Sequence, residues 1–164
     1  MAIEYGDGSS SNGGRIIQVV TGHKSSRAST TSTSFTSTGL SKNITPTESD
    51  NKILVLCNIR LGFASGNLGY AALWRGNYQI FQGDSYGSAV RCSFSADGSG
   101  GQHNAYVPTM TFLDSPATTS TITYEIKYRG HNGNTVRVNA VGSDRSNGTD
   151  GVFSSSIVLM EVAV

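Results

Sequence analysis

Charge is scarce in this sequence. Lys and Arg number 12 and Asp and Glu 11 among 164 residues, which is 14% charged and a net charge of +1; a typical domain is ~25% charged. That balance supplies no basic field to hold nucleic acid and no cationic patch for an acidic membrane surface. Long apolar runs are also missing. No window approaches the ~18 residues that a membrane-crossing helix needs, so no membrane insertion is expected. The opening MAIEYGDGSSSNGG lacks the basic segment and apolar stretch of a secretory signal. Cysteine is limited to Cys57 and Cys92, 35 positions apart with no CxxC spacing. Both lie in strand-like runs, as buried small hydrophobes or, in an oxidising compartment, as one cross-strand or inter-sheet disulfide. Helical periodicity is absent too: Gly or Thr interrupts every stretch of apolar residues at i, i+3, i+4, i+7.

What is present is Ser, Thr, Asn and 20 Gly, together with repeated period-2 alternation. In ITYEIKY, Ile122, Tyr124, Ile126 and Tyr128 share one face and Thr123, Glu125 and Lys127 the other. TVRVNAV sets Val136, Val138 and Ala140 against Arg137 and Asn139, and RGHNGN between the two runs predicts a hairpin. Further strands are predicted at 15–21, 37–45, 52–63, 69–75, 78–82, 89–95, 105–113 and 154–162, separated by turn-rich segments such as QGDSYGS and SADGSGGQHN. About ten short strands indicate one all-β domain, a sandwich or barrel.

Between residues 25 and 38, 11 of 14 positions are Ser or Thr. No proline precedes Pro46, which argues against a mucin-like stalk, and too little chain precedes the tract for it to link two domains. Thr favours strands, so the tract is read as edge strand crossing the outside of the sandwich. KILVLCNIRL and SIVLMEVAV instead are apolar on both faces. A sandwich strand normally has one wet face, so these runs need a second cover, either a long loop or a partner subunit. The sharper reading is a subunit interface carried by Leu54, Leu56, Val158 and Met160.

A search for chemistry yields little. His23, His103 and His131 fall in or beside Gly-, Ser- and Asn-rich segments and are read as exposed. No G-x-S-x-G elbow is present, and 11 scattered acids single out no glycosidase pair. No phosphate-binding glycine loop and no EF-hand loop occurs. Asp144, Asn147 and Asp150 are the residues that would wrap a cation, with a simple turn the plainer reading; no metal or cofactor is expected. Asn43 and Asn147 head glycosylation sequons that a chain without a signal would not expose to that machinery. The aromatics Tyr70, Trp74, Tyr78, Phe81 and Tyr86 are concentrated among Gly, Asn, Gln and Asp84. Trp74 and Phe81 are read as strand core residues, and Tyr70, Tyr78, Asp84 and Tyr86 as a ligand or receptor surface.

Several stretches carry a resemblance over about residues 15–164: TSTSFTSTGLSKNITPTESDNKILVLCNI, LWRGNYQIFQGDSYGSAVRCSFS, FLDSPATTSTITY and IVLMEVA. In these the chain resembles a family of small virion structural proteins of tailed bacteriophages. The resemblance implies an antiparallel jelly-roll sandwich, similar to the trimeric domains of tumour necrosis factor and complement C1q, with no catalytic residues. It implies a homotrimer in the virion, assembled in the host cytoplasm. The implied role is a tail-fibre or adsorption component facing a host surface glycan or protein, or alternatively a capsid decoration protein; a short tailspike-like glycan hydrolase is the third reading. Residues 1–14, with Ile3 and Tyr5 ahead of GDGSSSNGG, are expected to form a flexible arm that docks on other virion proteins, and 15–164 the folded domain.

Overall fold

In the computed structural model the structure describes residues 14–101, 103–143, 148 and 150–164. Ile3 and Tyr5, with residues 1–13 of the expected arm, lie outside the described residues, and its last residue, Gly14, donates to the Ala163 carbonyl at 2.9 Å. The elements are β1 (Ile16–Lys24), β2 (Ala28–Thr30), β3 (Thr36–Ile44), β4 (Lys52–Asn58), β5 (Leu61–Phe63), β6 (Leu68–Arg75), β7 (Tyr78–Ile80), β8 (Phe94–Asp97), β9 (Ala105–Tyr106), β10 (Thr109–Asp114), β11 (Ile122–Gly130), β12 (Val136–Val138) and β13 (Ser155–Val162). A single 3₁₀ turn, Gly98–Gly100, is the one helical element among the described residues.

Every ladder is antiparallel. One sheet has the order β1-β13-β4-β10, and a second set, β2-β12-β5-β9, repeats that order with the neighbouring pieces of the same runs. The other face of the sandwich is β3-β11-β6-β7, with β8 also paired to β6. The apolar sides of the two layers meet in one core. Ile53, Val55, Ile157 and Leu159 come from the first layer, and Leu40, Leu73, Tyr124, Ile126 and Tyr128 from the second.

The expected hairpin between 122–128 and 135–141 does not form. β11 is hydrogen-bonded on both edges, to β3 and to β6, so it has no edge left for β12. β12 instead pairs with β2 and β5 in the other layer. Alternation told which face each strand buries, and that reading holds: Tyr124, Ile126, Tyr128, Val136 and Val138 are all buried. It carries no information on the partner. The RGHNGN turn changes layers, with Gly130 so close to Asn134 that a Cβ would stand 1.9 Å from its carbonyl oxygen.

The Ser/Thr tract supplies two edge strands, β2 and the start of β3. It also reaches the core. The β3–β11 register shifts at Ile126/Lys127. There Gly39 takes φ +77°, while buried Thr38 donates from Oγ1 to the Ile126 carbonyl at 2.6 Å and accepts from Leu40 N at 3.1 Å. A bulge of this kind needs glycine at the left-handed position.

Two buried polar groups tie the runs together. Asn139 sits between β12 and β13 and donates to the carbonyls of Lys24 (2.8 Å) and Ser26 (3.2 Å), while its Oδ1 accepts from Ser155 Oγ at 2.6 Å. Glu161 has 0% exposure and accepts from Gln18 Nε2, Asn51 Nδ2 and both the amide and hydroxyl of Thr47 at 2.6–2.7 Å. Burial alone would raise its carboxyl, but these hydrogen bonds outweigh that and hold it at about 2.

Candidate functional site

Residues directly opposed across an antiparallel ladder share a face. On the side of the first sheet turned away from the core, Val19, Met160, Leu54 and Leu113 therefore form one row, and Thr21, Val158, Leu56 and Thr111 the next. The four residues expected at a subunit interface are thus brought together, Met160 opposite Leu54 and Val158 opposite Leu56. They are half-buried by one another. Val19 is 50% and Leu113 49% exposed, as is Ile16, at 51%, where β1 opposes Val162. Sequence reasoning missed Val19 and Leu113 because each stands next to a more buried apolar residue, Val20 and Phe112, and nothing local says which of the two faces outward. Only the register puts them beside the central strands.

The four expected receptor-surface residues are not one site. Tyr70 lies on β6, half-buried, with its hydroxyl 3.3 Å from His131 Nδ1 and the Arg129 guanidinium 5.5 Å from its ring centre. Tyr78 starts β7, opposite Arg75 at the other end of β6, and is 73% exposed. Five residues of strand separate Tyr70 from Arg75, roughly 17 Å at ~3.3 Å per residue. Asp84 and Tyr86 sit in the exposed 83–89 loop, Tyr86 at 85% exposure.

Trp74 and Phe81 are not core residues, contrary to expectation. Trp74 alternates with core-facing Leu73 and so stands on the outer face of the second layer, edge-on to Phe35 at 6.0 Å and under Lys127 Nζ at 4.3 Å. Its Nε1 is buried without a hydrogen-bond partner. Phe81, at φ +48°, leaves the strand and lies 39% exposed against Phe112. Cationic stems from β11 cover this outer face, which is why a strand with aromatics outside reads as buried on both sides.

The histidines are not all loose. His23 is exposed on β1 itself, His131 contacts Tyr70, and His103 Nδ1 lies 3.0 Å from Asp150 Oδ1. Ser143 donates to the other Asp150 oxygen at 2.7 Å. The carboxylate stands between serine and imidazole, so the imidazole is not on the serine hydroxyl and the order of a catalytic triad is not reproduced. Asp144 and Asn147 lie outside the described residues. Among the described residues no group of three His, Cys, Asp or Glu side chains is placed to hold a metal ion. Cys57 and Cys92 are both free thiols; burial pushes the Cys57 thiol up to about 12.

A polar network lies at the Tyr78 end of the second layer. Arg75 Nη1 donates to both Asp114 oxygens at 3.0 and 2.9 Å and to the Ser115 carbonyl at 3.4 Å, and Tyr124 OH donates to Asp114 Oδ2 at 2.5 Å. Burial first, and then the Asp114 carboxylate, push the Tyr124 phenol above its ordinary range, so it stays a neutral donor. Above this network a cleft of about 420 Å³ opens between the Arg75–Tyr78 turn and the segment from Pro116 to Thr123.

Comparison with family models finds no match, and comparison with curated proteins finds none either.

Proposed function

We propose that this chain is a non-enzymatic structural protein of a tailed-phage virion, a jelly roll that trimerises through the outer face of the β1-β13-β4-β10 sheet. In this reading it serves as a tail-fibre or adsorption component presenting loops to the host surface. The observation that carries the assembly is the apolar row Val19–Met160–Leu54–Leu113 across four strands, with Val158 and Leu56 beside it in a row that threonines Thr21 and Thr111 close at both ends. A contiguous exposed apolar patch on a domain marks an interaction surface, and one without charge suits a second copy of itself. Strand order supports the jelly roll. Joined end to end, β1–β2, β3, β4–β5, β6, β7–β8, β9–β10, β11 and β12–β13 make eight runs arranged 1-8-3-6 and 2-7-4-5, two Greek keys wrapped together. The sequence resemblance to virion proteins supplies the setting.

Sedimentation equilibrium tests the assembly: about three times the 17.2 kDa chain mass is expected, and a stable monomer overturns it. Gold-labelled antibody on particles of the phage tests the setting. Label on the tail agrees with adsorption, label over the head makes the chain a capsid decoration protein, and release of reducing sugar from host polysaccharide makes it a hydrolase.

A further inference from the structure

We propose that the cleft at the Tyr78 end of the second layer is a carbohydrate site that takes one or two rings of a neutral hexose chain. This rests on the adsorption reading and names its ligand. The cleft is lined by Arg75, Asn77, Tyr78, Pro116, Thr121 and Thr123, among others. At about 420 Å³ it falls at the small end of ligand clefts, which run roughly 300–1,000 Å³.

Three features suit a sugar. First, Tyr78 is 73% exposed, and neither its ring nor its hydroxyl has a partner among the described residues, which leaves a rigid aromatic face to stack on the C–H side of a pyranose. Second, Asp114 and Ser115 hold Arg75 at one nitrogen only. The hydrogen bonds it donates to them all leave from Nη1, the guanidinium also lies in reach of the Tyr124 phenol, and the side chain is 28% exposed, so neither acceptor engages Nε or Nη2. Tyr124 holds Asp114 from beneath, so these donors are preorganised before a ligand arrives. Third, the opposite wall is fixed. Thr121 Oγ1 lies 2.7 Å from Thr45 Oγ1, Thr123 Oγ1 donates to Asn43 Oδ1 at 2.8 Å, and Gly76 N donates to the Thr123 carbonyl at 2.8 Å.

Charge decides the class of sugar. The guanidinium is paired with a carboxylate at 2.9 Å, so a uronate or sialate would meet a compensated cation. A neutral hydroxyl needs only the directional donors, and these remain. Tyr86, by contrast, stands in the exposed loop with no such framework.

The test is a ¹H–¹⁵N titration of the full chain with glucose, galactose, mannose, N-acetylglucosamine and glucuronate, with the mass of the same sample read by sedimentation. Saturable shifts are expected at the amides of Gly76, Asn77, Tyr78, Thr121 and Thr123 with at least one neutral sugar at millimolar concentration. Tyr78→Ala should weaken the binding at least about tenfold with unchanged melting, and Tyr86→Ala should leave it intact. Four results overturn the site: no saturable shift with any of the sugars, saturation by glucuronate alone, shifts centred elsewhere, or binding that survives Tyr78→Ala. A trimer without sugar shifts removes this cleft alone. A sugar-binding monomer keeps the cleft and removes the assembly.

Discussion

At Glu161 a carboxylate with no solvent exposure is kept ionised by four donors from β1 and the 45–51 loop. Its folded value, about 2, lies below the ordinary 4.5, so its contribution to stability is complete above pH 4.5 and is lost as pH falls toward 2. Glu161→Gln replaces one carboxylate oxygen by an NH2 that faces donors, either Gln18 on one side or Thr47 and Asn51 on the other. It should cost about 2 kcal/mol at neutral pH, the scale of hydrogen bonds to a charged group. Urea unfolding of both proteins between pH 2 and 7 checks this: the two curves should converge as pH falls through that window. Nothing in EVAV announced this role, because an isolated acid in an apolar strand looks the same whether its donors exist or not. The donors come from residues more than 100 positions away.

On the scale of elements, β4 separates two effects one residue apart. Val55 faces the core with 0% exposure, whereas its neighbour Leu56 faces outward beside Val158. Leu56→Lys should leave circular dichroism and folding intact while abolishing the trimer in sedimentation, since a lysine trapped in an apolar interface costs several kcal/mol. Val55→Lys should instead prevent folding altogether. An equal loss of structure in both variants would show that Leu56 is part of the monomer core. The joint between β12 and β13 makes a second prediction. Asn139 stands at φ +58° and is fully buried, its side-chain amide spanning Lys24, Ser26 and Ser155. Asn139→Ala leaves buried Ser155 and the carbonyls of Lys24 and Ser26 without their side-chain partner and puts a residue without a side-chain amide at a left-handed φ, so about 3 kcal/mol of stability should be lost in a denaturant titration. From the sequence, TVRVNAV reads as one continuous strand through Asn139; it is in fact where the strand ends.

For the whole molecule, the proposed assembly would be driven by apolar contact, since the two outward rows carry no charged side chain. Raising NaCl from 0.1 to 1 M should therefore leave the sedimenting mass unchanged, because screening acts on charges while apolar burial is not weakened by added salt. Dissociation at high salt would assign the contact to ion pairs elsewhere.

The sequence by itself determined the all-β character and the buried faces of the two alternating runs at 122–128 and 135–141. Each of these is written in local alternation, which the pleat converts directly into sidedness. Only the tertiary structure decided that β11 and β12 lie in different layers, that Trp74 stands outside the core, and that Tyr78 on β7 sits opposite the far end of β6 from Tyr70. It also decided that Arg75, Asp114 and Tyr124 converge beneath a cleft. Those facts depend on which edges are already occupied and on contacts across 10 to 49 positions of chain (Asp114 to Tyr124, Arg75 to Tyr124), and a period of two carries no record of either.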